Sequence, residues 1–279
     1  MPTFQSFTAY RDFEREVIGR RRFAQSKAGQ DFLMRFRKSA RERLTTLQRG
    51  HPLWRAQIGA GSRMHSQTDE HDNECEYEVT APFSVERMSP DPKFVRDGRL
   101  NPRGIAYLYL AKNEKTAIAE VRPWLGAYVS VGVFEVLEDC KVVYCLTTKH
   151  SPFVGTILWD GGYKPPAENE WDDIVWGDIG YAFAEPPDPE SRDLTYAPTQ
   201  ILAEVLHEEG HDGVLYRSAM NRDGYNVALF DPQRARLFAC AIHRVSAVTY
   251  ASGDVEEGYG RPRETATPTP ADSAPAVER

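Results

Sequence analysis

Three side chains between residues 98 and 122 have the types and spacing needed to grip an anionic, aromatic ligand and to act on a bond within it. Arg99 stands in a turn rich in Gly, Asn and Pro, Tyr109 at the end of a strand-like run, and Glu120 on a short helix. A guanidinium group binds phosphate or carboxylate through two parallel hydrogen bonds, and a tyrosine ring can stack on a planar ring. A carboxylate in a groove is a candidate catalytic group. The stretch therefore contains the parts of a ligand-cleaving site.

Two more polar side chains stand where functional groups often occur. Arg55 follows Leu53 and Trp54 in an apolar segment, so its guanidinium faces partly inward, where burial is costly unless an anion pairs with it. Ser218 follows a short buried strand, and loops at such points often carry sites. Because no Gly-x-Ser-x-Gly pattern surrounds Ser218, it is not a nucleophile elbow. Each of the five residues also has a structural interpretation, as an ion pair, a core aromatic, surface polarity or a backbone hydrogen bond.

The histidines and cysteines do not predict a metal site. His65, His71 and Cys75 share one polar segment, but their spacing matches no familiar zinc pattern. Cys140 and Cys145 lie in strand-like segments, where cysteine is expected to act as a small hydrophobe. The chain also has no Rossmann glycine pattern, phosphate-binding loop or His-Glu-x-x-His motif. We therefore expect no metal.

Composition narrows the class of protein. The chain has 279 residues and a net charge of −7, which argues against general nucleic-acid binding. The charge is uneven, since residues 1–49 hold twelve Lys/Arg against five Asp/Glu. Four irregularly spaced cysteines do not indicate a disulfide framework. No apolar run approaches the roughly 20 residues of a membrane span, and no signal-peptide core is present at the start. A cytoplasmic protein without membrane contact is expected.

The order of the predicted elements favours an α+β domain rather than a doubly wound sheet. Periodicity predicts helices over the first fifty residues, and the second of them extends through residues 32–47. Residues 59–80 are polar and predict a mobile loop, and residues 159–193 predict an aromatic insertion that acts as a lid. Asn113 caps a helix over 114–122, and Gly210 closes another over 199–209. Strands are predicted at 53–56, 105–110, 128–136, 141–146, 213–216 and, as the last, 226–230.

These elements divide the chain into three parts. Residues 1–50 form a basic helical extension, residues 51–250 the main domain, and residues 251–279 a disordered tail rich in Pro, Ser and Thr. The basic face of the second helix carries Arg35, Lys38 and Arg41. It is either a solvated surface or a docking surface for a partner or nucleic acid.

Taken together, the sequences of several segments closely resemble those of the RES-domain family. The segments are Trp-Arg-Ala at 54–56, GRLNPRGIAYLYLA from Gly98, Thr-Ala-Ile-Ala-Glu at 116–120, and TQILAEVLHEEGHDGVLYRS from Thr199. The resemblance covers roughly residues 53–232. It implies an ADP-ribosyltransferase-like fold, with a mixed β-sheet core and flanking helices, to which the N-terminal helical extension predicted above is added. By position it assigns the family's site to Arg55, Arg99, Tyr109, Glu120 and Ser218.

The resemblance also implies a chemistry. Its members consume NAD as toxins, by hydrolysis or by phosphorolysis with inorganic phosphate as co-substrate, and many are neutralised by an antitoxin with an Xre-like domain. Arg55 and Arg99 would hold the diphosphate, Tyr109 would stack on nicotinamide, and Ser218 would position the ribose or the amide. Glu120 would stabilise the developing positive charge on the ribose or orient its hydroxyl groups, so that Glu120, Arg99 and Ser218 are the catalytic set.

Two other functions stay open at this point. A protein ADP-ribosyltransferase would move the ADP-ribose to a macromolecule, and a catalytically silent module would use the basic helices to bind a partner or nucleic acid. The intact set of five residues makes the silent module, and with it nucleic acid as a partner, the least favoured of the three functions. The sequence also leaves open whether the chain forms a homo-oligomer.

Overall fold

A mixed eight-stranded β-sheet is the centre of the described part of the chain, which comprises residues 2–68, 74–147, 165–185 and 195–250 of a computed structural model. Two further strands, β3 (Gly61–Thr68) and β4 (Glu74–Ala81), form a separate hairpin. The large sheet contains β1 (Leu44–Leu47), β2 (Pro52–Ile58), β5 (Leu108–Ala111), β6 (Tyr128–Val136), β7 (Cys140–Tyr144), β8 (Gly213–Arg217), β9 (Tyr225–Leu229) and β10 (Ala235–Arg244).

The sheet has the strand order β1-β7-β8-β9-β5-β2-β6-β10. Neighbours β7 and β8 run parallel, and the other neighbouring pairs are antiparallel. This pattern lacks the repeated crossovers of a doubly wound sheet. The predicted α+β class, with a mixed sheet and flanking helices, is therefore confirmed.

Six α-helices accompany the sheet in the described residues: α1 (Ala9–Gly19), α2 (Lys27–Ala40), α3 (Val85–Met88), α4 (Glu114–Glu120), α5 (Trp171–Ala184) and α6 (Ala197–Glu208). Short 3₁₀ turns lie at Glu168–Glu170 and Pro232–Arg234. Asn113 caps α4 as predicted, because its side chain accepts a hydrogen bond from the amide of Thr116 at 2.9 Å. Gly210 follows α6 with φ +81°, the left-handed geometry expected of a terminating glycine.

The two faces of the sheet are buried against different layers, as the alternation of side chains requires. Leu108 and Leu110 of β5 lie in a core with α3, whereas Tyr109 packs against the core of the larger helices. A smaller apolar cluster beneath α4 holds Ala111 and Ala117. Tyr109 and Ala111 of β5 therefore lie on the side of the sheet that faces the larger helices and α4.

The basic helices at the start of the chain pack on this core. Phe36 of α2 contacts Trp176 of α5 at 5.2 Å between ring centroids, and the Trp176 indole donates to the Ser39 hydroxyl at 2.8 Å. The described residues up to Ser246 belong to one compact unit. The predicted division of the chain at residue 50 stays a prediction.

Four sequence predictions of secondary structure are corrected. The second helix ends at Ala40, and Leu44 and Leu47 belong to β1, where Leu-Thr-Thr-Leu pairs with β7. Within the predicted loop at 59–80, residues 61–68 and 74–80 belong to the strands β3 and β4, whose polar composition reflects exposure on both faces rather than a lack of structure. Within the predicted lid, α5 is a core helix with Trp176 and Phe183 fully buried. A further strand, β10, follows the one predicted to be last.

Other predictions fall partly on residues that the structure does not describe. The predicted tail at 251–279 and residues 159–164 and 186–193 of the predicted lid lie outside the described residues. So does His71, whereas His65 contacts the ring of Tyr77 edge-on within the hairpin. In the described part of the chain, no helix has the length and apolar character needed to cross a membrane.

Candidate active site

A cavity of about 310 Å³ lies where the cluster beneath α4 meets the core of the larger helices. Its floor is one transverse row of residues, because sheet register aligns Tyr216 of β8, Asn226 of β9, Ala111 of β5 and Trp54 of β2. All four line the cavity. Its size is at the lower end of the range for small-molecule sites, about 300–1,000 Å³.

Four of the five predicted residues line this cavity, and the fifth touches one of them. Arg55 and Ala56 come from β2, Arg99 from the turn before β5, Tyr109 from β5 and Glu120 from α4. Ser218 is buried just after β8 and bonds to Glu120. Residues separated by up to 163 positions in sequence thus meet at one place in the fold.

The Tyr109 hydroxyl builds the turn that carries Arg99. It donates to the Asn101 side-chain oxygen at 2.6 Å and accepts from the Leu100 amide at 3.1 Å. Burial raises the pKa of Tyr109, so the phenol keeps its proton. A Cβ on Gly98 would stand 2.9 Å from this hydroxyl, which explains the glycine. Because the hydroxyl makes its hydrogen bonds within the turn, the part of Tyr109 that is available to a ligand in the cavity is its ring.

Helix α6 fixes the same turn from the other side. The first helical turn brings Thr199 to donate to the Arg99 carbonyl, and the Gln200 amide to donate to the carbonyls of Gly98 and Asn101 at 2.9 and 3.0 Å. Gln200 is itself buried. The backbone of the turn is therefore held by hydrogen bonds, and the Arg99 side chain projects from a rigid base.

Tyr216 lies beside the Arg99 guanidinium at the cavity wall. Burial raises the pKa of the Tyr216 phenol, the neighbouring guanidinium acts to lower it, and the Glu120 carboxylate acts to raise it. Tyr216 is 2% exposed. It therefore stands between the cationic and the anionic groups of the cavity, as a neutral hydrogen-bonding residue.

Arg55 is the unsatisfied group of the site. Its Nη1 is buried and has no hydrogen-bond partner among the described residues. Burial, with a contribution from the nearby Arg87, lowers the pKa of Arg55 to about 10, so the guanidinium is still protonated near neutral pH. Burying a donor nitrogen of a charged group without a partner costs folding free energy. Its position in a cavity wall is typical of a group that binds an anion.

Glu120 is the last residue of α4, where the helix dipole disfavours negative charge. Two side chains outside the helix stabilise the carboxylate by hydrogen bonds instead. The Ser218 hydroxyl and the Asn226 amide each donate to Oε1 of Glu120 at 2.7 Å. Among the described residues, none donates a hydrogen bond to Oε2. The carboxylate is therefore bound on one oxygen, and its other oxygen is left for a ligand.

Ser218 is fully engaged by these contacts. Its oxygen accepts from the amides of Met220 and Asn221 at 3.2 and 3.0 Å, so its proton is directed at Glu120. Asn221 also donates to the Thr116 hydroxyl of α4 at 2.8 Å, which ties the loop to the helix. The structure thus brings Ser218 to Glu120, and direct contact between Ser218 and a ligand stays a prediction.

Sequence reasoning missed Tyr216 and Asn226. Asn226 stands in a strand whose alternate residues Val227 and Leu229 face the other core, so a polar residue in the inward register was the available signal. Tyr216 had no such signal, because a tyrosine ending an apolar strand resembles ordinary core. For neither residue does the local sequence pattern indicate which side chain it contacts.

The cavity is lined by charged groups of both signs. We call Arg55 and Arg99 the cationic end, and Glu120 with Ser218 and Asn226 the carboxylate end. The three charged groups sum to +1. Within the described residues, no group of three or more His, Cys, Asp or Glu side chains is arranged to hold a metal ion.

The chain matches the RES domain family model over residues 69–252, about two thirds of its length. The chain belongs to the RES-domain family, which confirms the resemblance; Arg55 lies before the matched range and is joined to the site by the fold. No curated protein matches the chain. A solved structure that it resembles is the crystal structure of the M. tuberculosis MbcT-MbcA toxin-antitoxin complex, with 15% identity over 75% of this chain and 91% of that one, and a TM-score of 0.34.

Proposed function

We propose that this RES-domain protein cleaves the nicotinamide–ribose bond of NAD, as a glycohydrolase or as a phosphorylase that uses inorganic phosphate. The observation that carries the proposal is the joint presence, in one cavity, of the unpartnered Nη1 of Arg55 and the Glu120 carboxylate held through a single oxygen. The family's NAD chemistry, which the sequence resemblance implies, agrees with both features.

Charge and an available aromatic ring support NAD as the substrate. The diphosphate carries two negative charges and the nicotinamide ring one positive charge, so the ligand's sum of −1 complements the cavity's sum of +1. The diphosphate would lie at the cationic end and the positive nicotinamide riboside nearer the carboxylate end. The ring of Tyr109 is available for stacking, because its hydroxyl is already bonded within the turn.

The proposed chemistry needs no general acid. The bond between the ribose anomeric carbon and the ring nitrogen breaks, and its electron pair neutralises the pyridinium to give nicotinamide. The ribose passes through an oxocarbenium-like state, and Oε2 of Glu120 would stabilise its positive charge or orient its hydroxyl groups. Water, losing a proton to solvent, or phosphate then bonds to the same carbon. Ser218 acts in this scheme by holding Glu120.

The acceptor and the activity are tested by one assay. The purified protein is incubated with NAD, with and without phosphate, and the products are resolved by mass. Hydrolysis gives ADP-ribose in both samples, whereas phosphorolysis gives ADP-ribose-1″-phosphate in the phosphate sample only. Label transferred to a macromolecule would instead indicate a protein ADP-ribosyltransferase, and unchanged NAD in every sample would refute the proposed function.

We further propose a toxin or defence role in the cytoplasm, with an antitoxin bearing an Xre-like domain as the partner. This proposal rests on the family resemblance, since depletion of NAD arrests a cell. Expression of the chain alone should lower cellular NAD and stop growth, and co-expression with the neighbouring reading frame should restore both. Growth arrest with unchanged NAD would contradict the role.

The basic side chains of α2 are used partly to pack this helix against α6, which argues against nucleic-acid binding. Arg37 and Arg41 of α2 pair with Glu208 and Glu209 at the end of α6, with 2.7 Å contacts for Arg37–Glu208 and Arg41–Glu209. These carboxylates reduce the positive charge that a nucleic acid would meet on α2. Retention on DNA or RNA that falls steeply with salt would contradict this interpretation.

A further inference from the structure

Asn226 occupies a position from which it can control the carboxylate of Glu120. It is 4% exposed, lies in β9 and lines the cavity. Register places it between Tyr216 of β8 and Ala111 of β5, so a continuous sheet fixes its backbone on both sides. Its side chain therefore extends towards Glu120 from a fixed backbone position.

Both hydrogen bonds to Glu120 end on the same oxygen. Asn226 Nδ2 and Ser218 Oγ each donate to Oε1 at 2.7 Å, the first from β9 and the second from the loop just after β8. A carboxylate held by one donor can still swing about that contact, whereas two donors from fixed directions leave one orientation. Because Glu120 has three rotatable side-chain bonds and lies at a helix end, this second donor decides where Oε2 points.

Asparagine is chemically suited to this role. Its amide nitrogen donates without carrying charge, so it orients the carboxylate without neutralising it. An aspartate of the same shape would place two carboxylates in contact and remove the donor. The contact therefore distinguishes asparagine from its closest isostere.

We infer that Asn226 is a positioning residue, which acts through Glu120 by fixing its carboxylate so that Oε2 meets the reacting ribose. The inference rests on the proposed function. A positioning role makes a specific kinetic demand: loss of Asn226 should lower the rate of the chemical step and leave substrate binding, which depends on the cationic end, nearly unchanged.

A double-mutant cycle tests this demand. Asn226→Ala should lower kcat for nicotinamide release about 30-fold and change KM for NAD less than about threefold. In a Glu120→Gln background the same substitution should change kcat less than about threefold, because the group on which it acts is already lost. Asn226→Asp, which keeps the shape, should be at least as impaired as Asn226→Ala. Thermal unfolding of each variant shows that it is folded.

Equal losses of kcat in the two backgrounds, or a large rise in KM with kcat unchanged, would overturn the inference in favour of a structural or substrate-binding role. A crystal structure of the Asn226→Ala protein provides a readout that needs no activity. The Glu120 carboxylate should rotate or occupy several conformers there, and an unmoved carboxylate would overturn the inference. If the wild-type protein leaves NAD intact, the proposed function fails, and this structural readout still decides the role of Asn226.

Discussion

The two ends of the cavity are built in opposite ways. At the carboxylate end, Glu120 receives two hydrogen bonds from donors that are themselves held in place. At the cationic end, Arg55 has a buried nitrogen that no described residue satisfies. An end that is complete before the ligand arrives is preorganised for a chemical step, whereas an end with an unpaired charge gains its partner from the ligand. The first should therefore govern kcat and the second KM.

The largest effect is expected at the carboxylate end. Glu120→Gln keeps the shape of the side chain and removes its charge, so kcat for nicotinamide release should fall by about 10³-fold, with KM changed less than about threefold. Steady-state kinetics measures both. Glu114→Gln, at the exposed start of the same helix, is the matched control and should be near wild type. A tenfold or greater rise in KM for Glu120→Gln would break the division between the ends.

The second effect is expected at the cationic end. Arg55→Met keeps the length of the side chain and removes the charge that should meet the diphosphate, so KM for NAD should rise about 30-fold, with kcat changed less than about threefold. Titration with ADP-ribose should show a similar loss of affinity. Arg236→Met, which breaks a surface pair with Glu135, is the control. A fall in kcat at unchanged KM would show that Arg55 belongs to the chemical step.

A smaller effect is expected for Ser218→Ala. One of the two donors to Glu120 is lost and the amides of Met220 and Asn221 lose their acceptor, so kcat should fall about tenfold with little change in KM. The same kinetic assay measures it. Loss of ADP-ribose affinity in this variant would instead support the predicted direct contact between Ser218 and the ligand.

The smallest effect concerns stability in the absence of ligand. Because the cost of burying Arg55 without a partner is removed, Arg55→Met should raise the free energy of unfolding by about 1 kcal/mol, measured by urea denaturation. Saturating ADP-ribose should stabilise the wild-type protein more than the variant. A variant less stable than wild type by more than about 1 kcal/mol would show that Arg55 has a structural partner.

Much of the fold could be predicted where the signal is local. The cap at Asn113, the stop at Gly210 and the strand over residues 128–136 follow from the chemistry of single positions or from alternation over a few residues. The β3–β4 hairpin was missed because its strands are exposed on both faces and show no buried stripe. Strand β1 was missed because Leu44 and Leu47 continue the spacing of the preceding helix.

The site residues likewise differ in whether local sequence alone could predict them. Arg99, Tyr109 and Glu120 could be proposed from one stretch, since a turn, a strand and a helix follow one another there. Arg55 and Ser218 were joined to them by resemblance to a family, because no local pattern relates them to that stretch. Asn226 and Tyr216 depend on the register between β8 and β9, which pairs residues ten positions apart and is fixed only in the folded sheet.

The most direct test of the two-ended cavity is a crystal structure of the Glu120→Gln protein with NAD. The diphosphate should lie within hydrogen-bonding distance of Arg55 and Arg99, with the nicotinamide ring on Tyr109 and the anomeric carbon of the ribose beside residue 120. The previously unpartnered Nη1 of Arg55 should bond to a phosphate oxygen. NAD bound in the reverse direction, or bound outside this cavity, would contradict the assignment of the two ends.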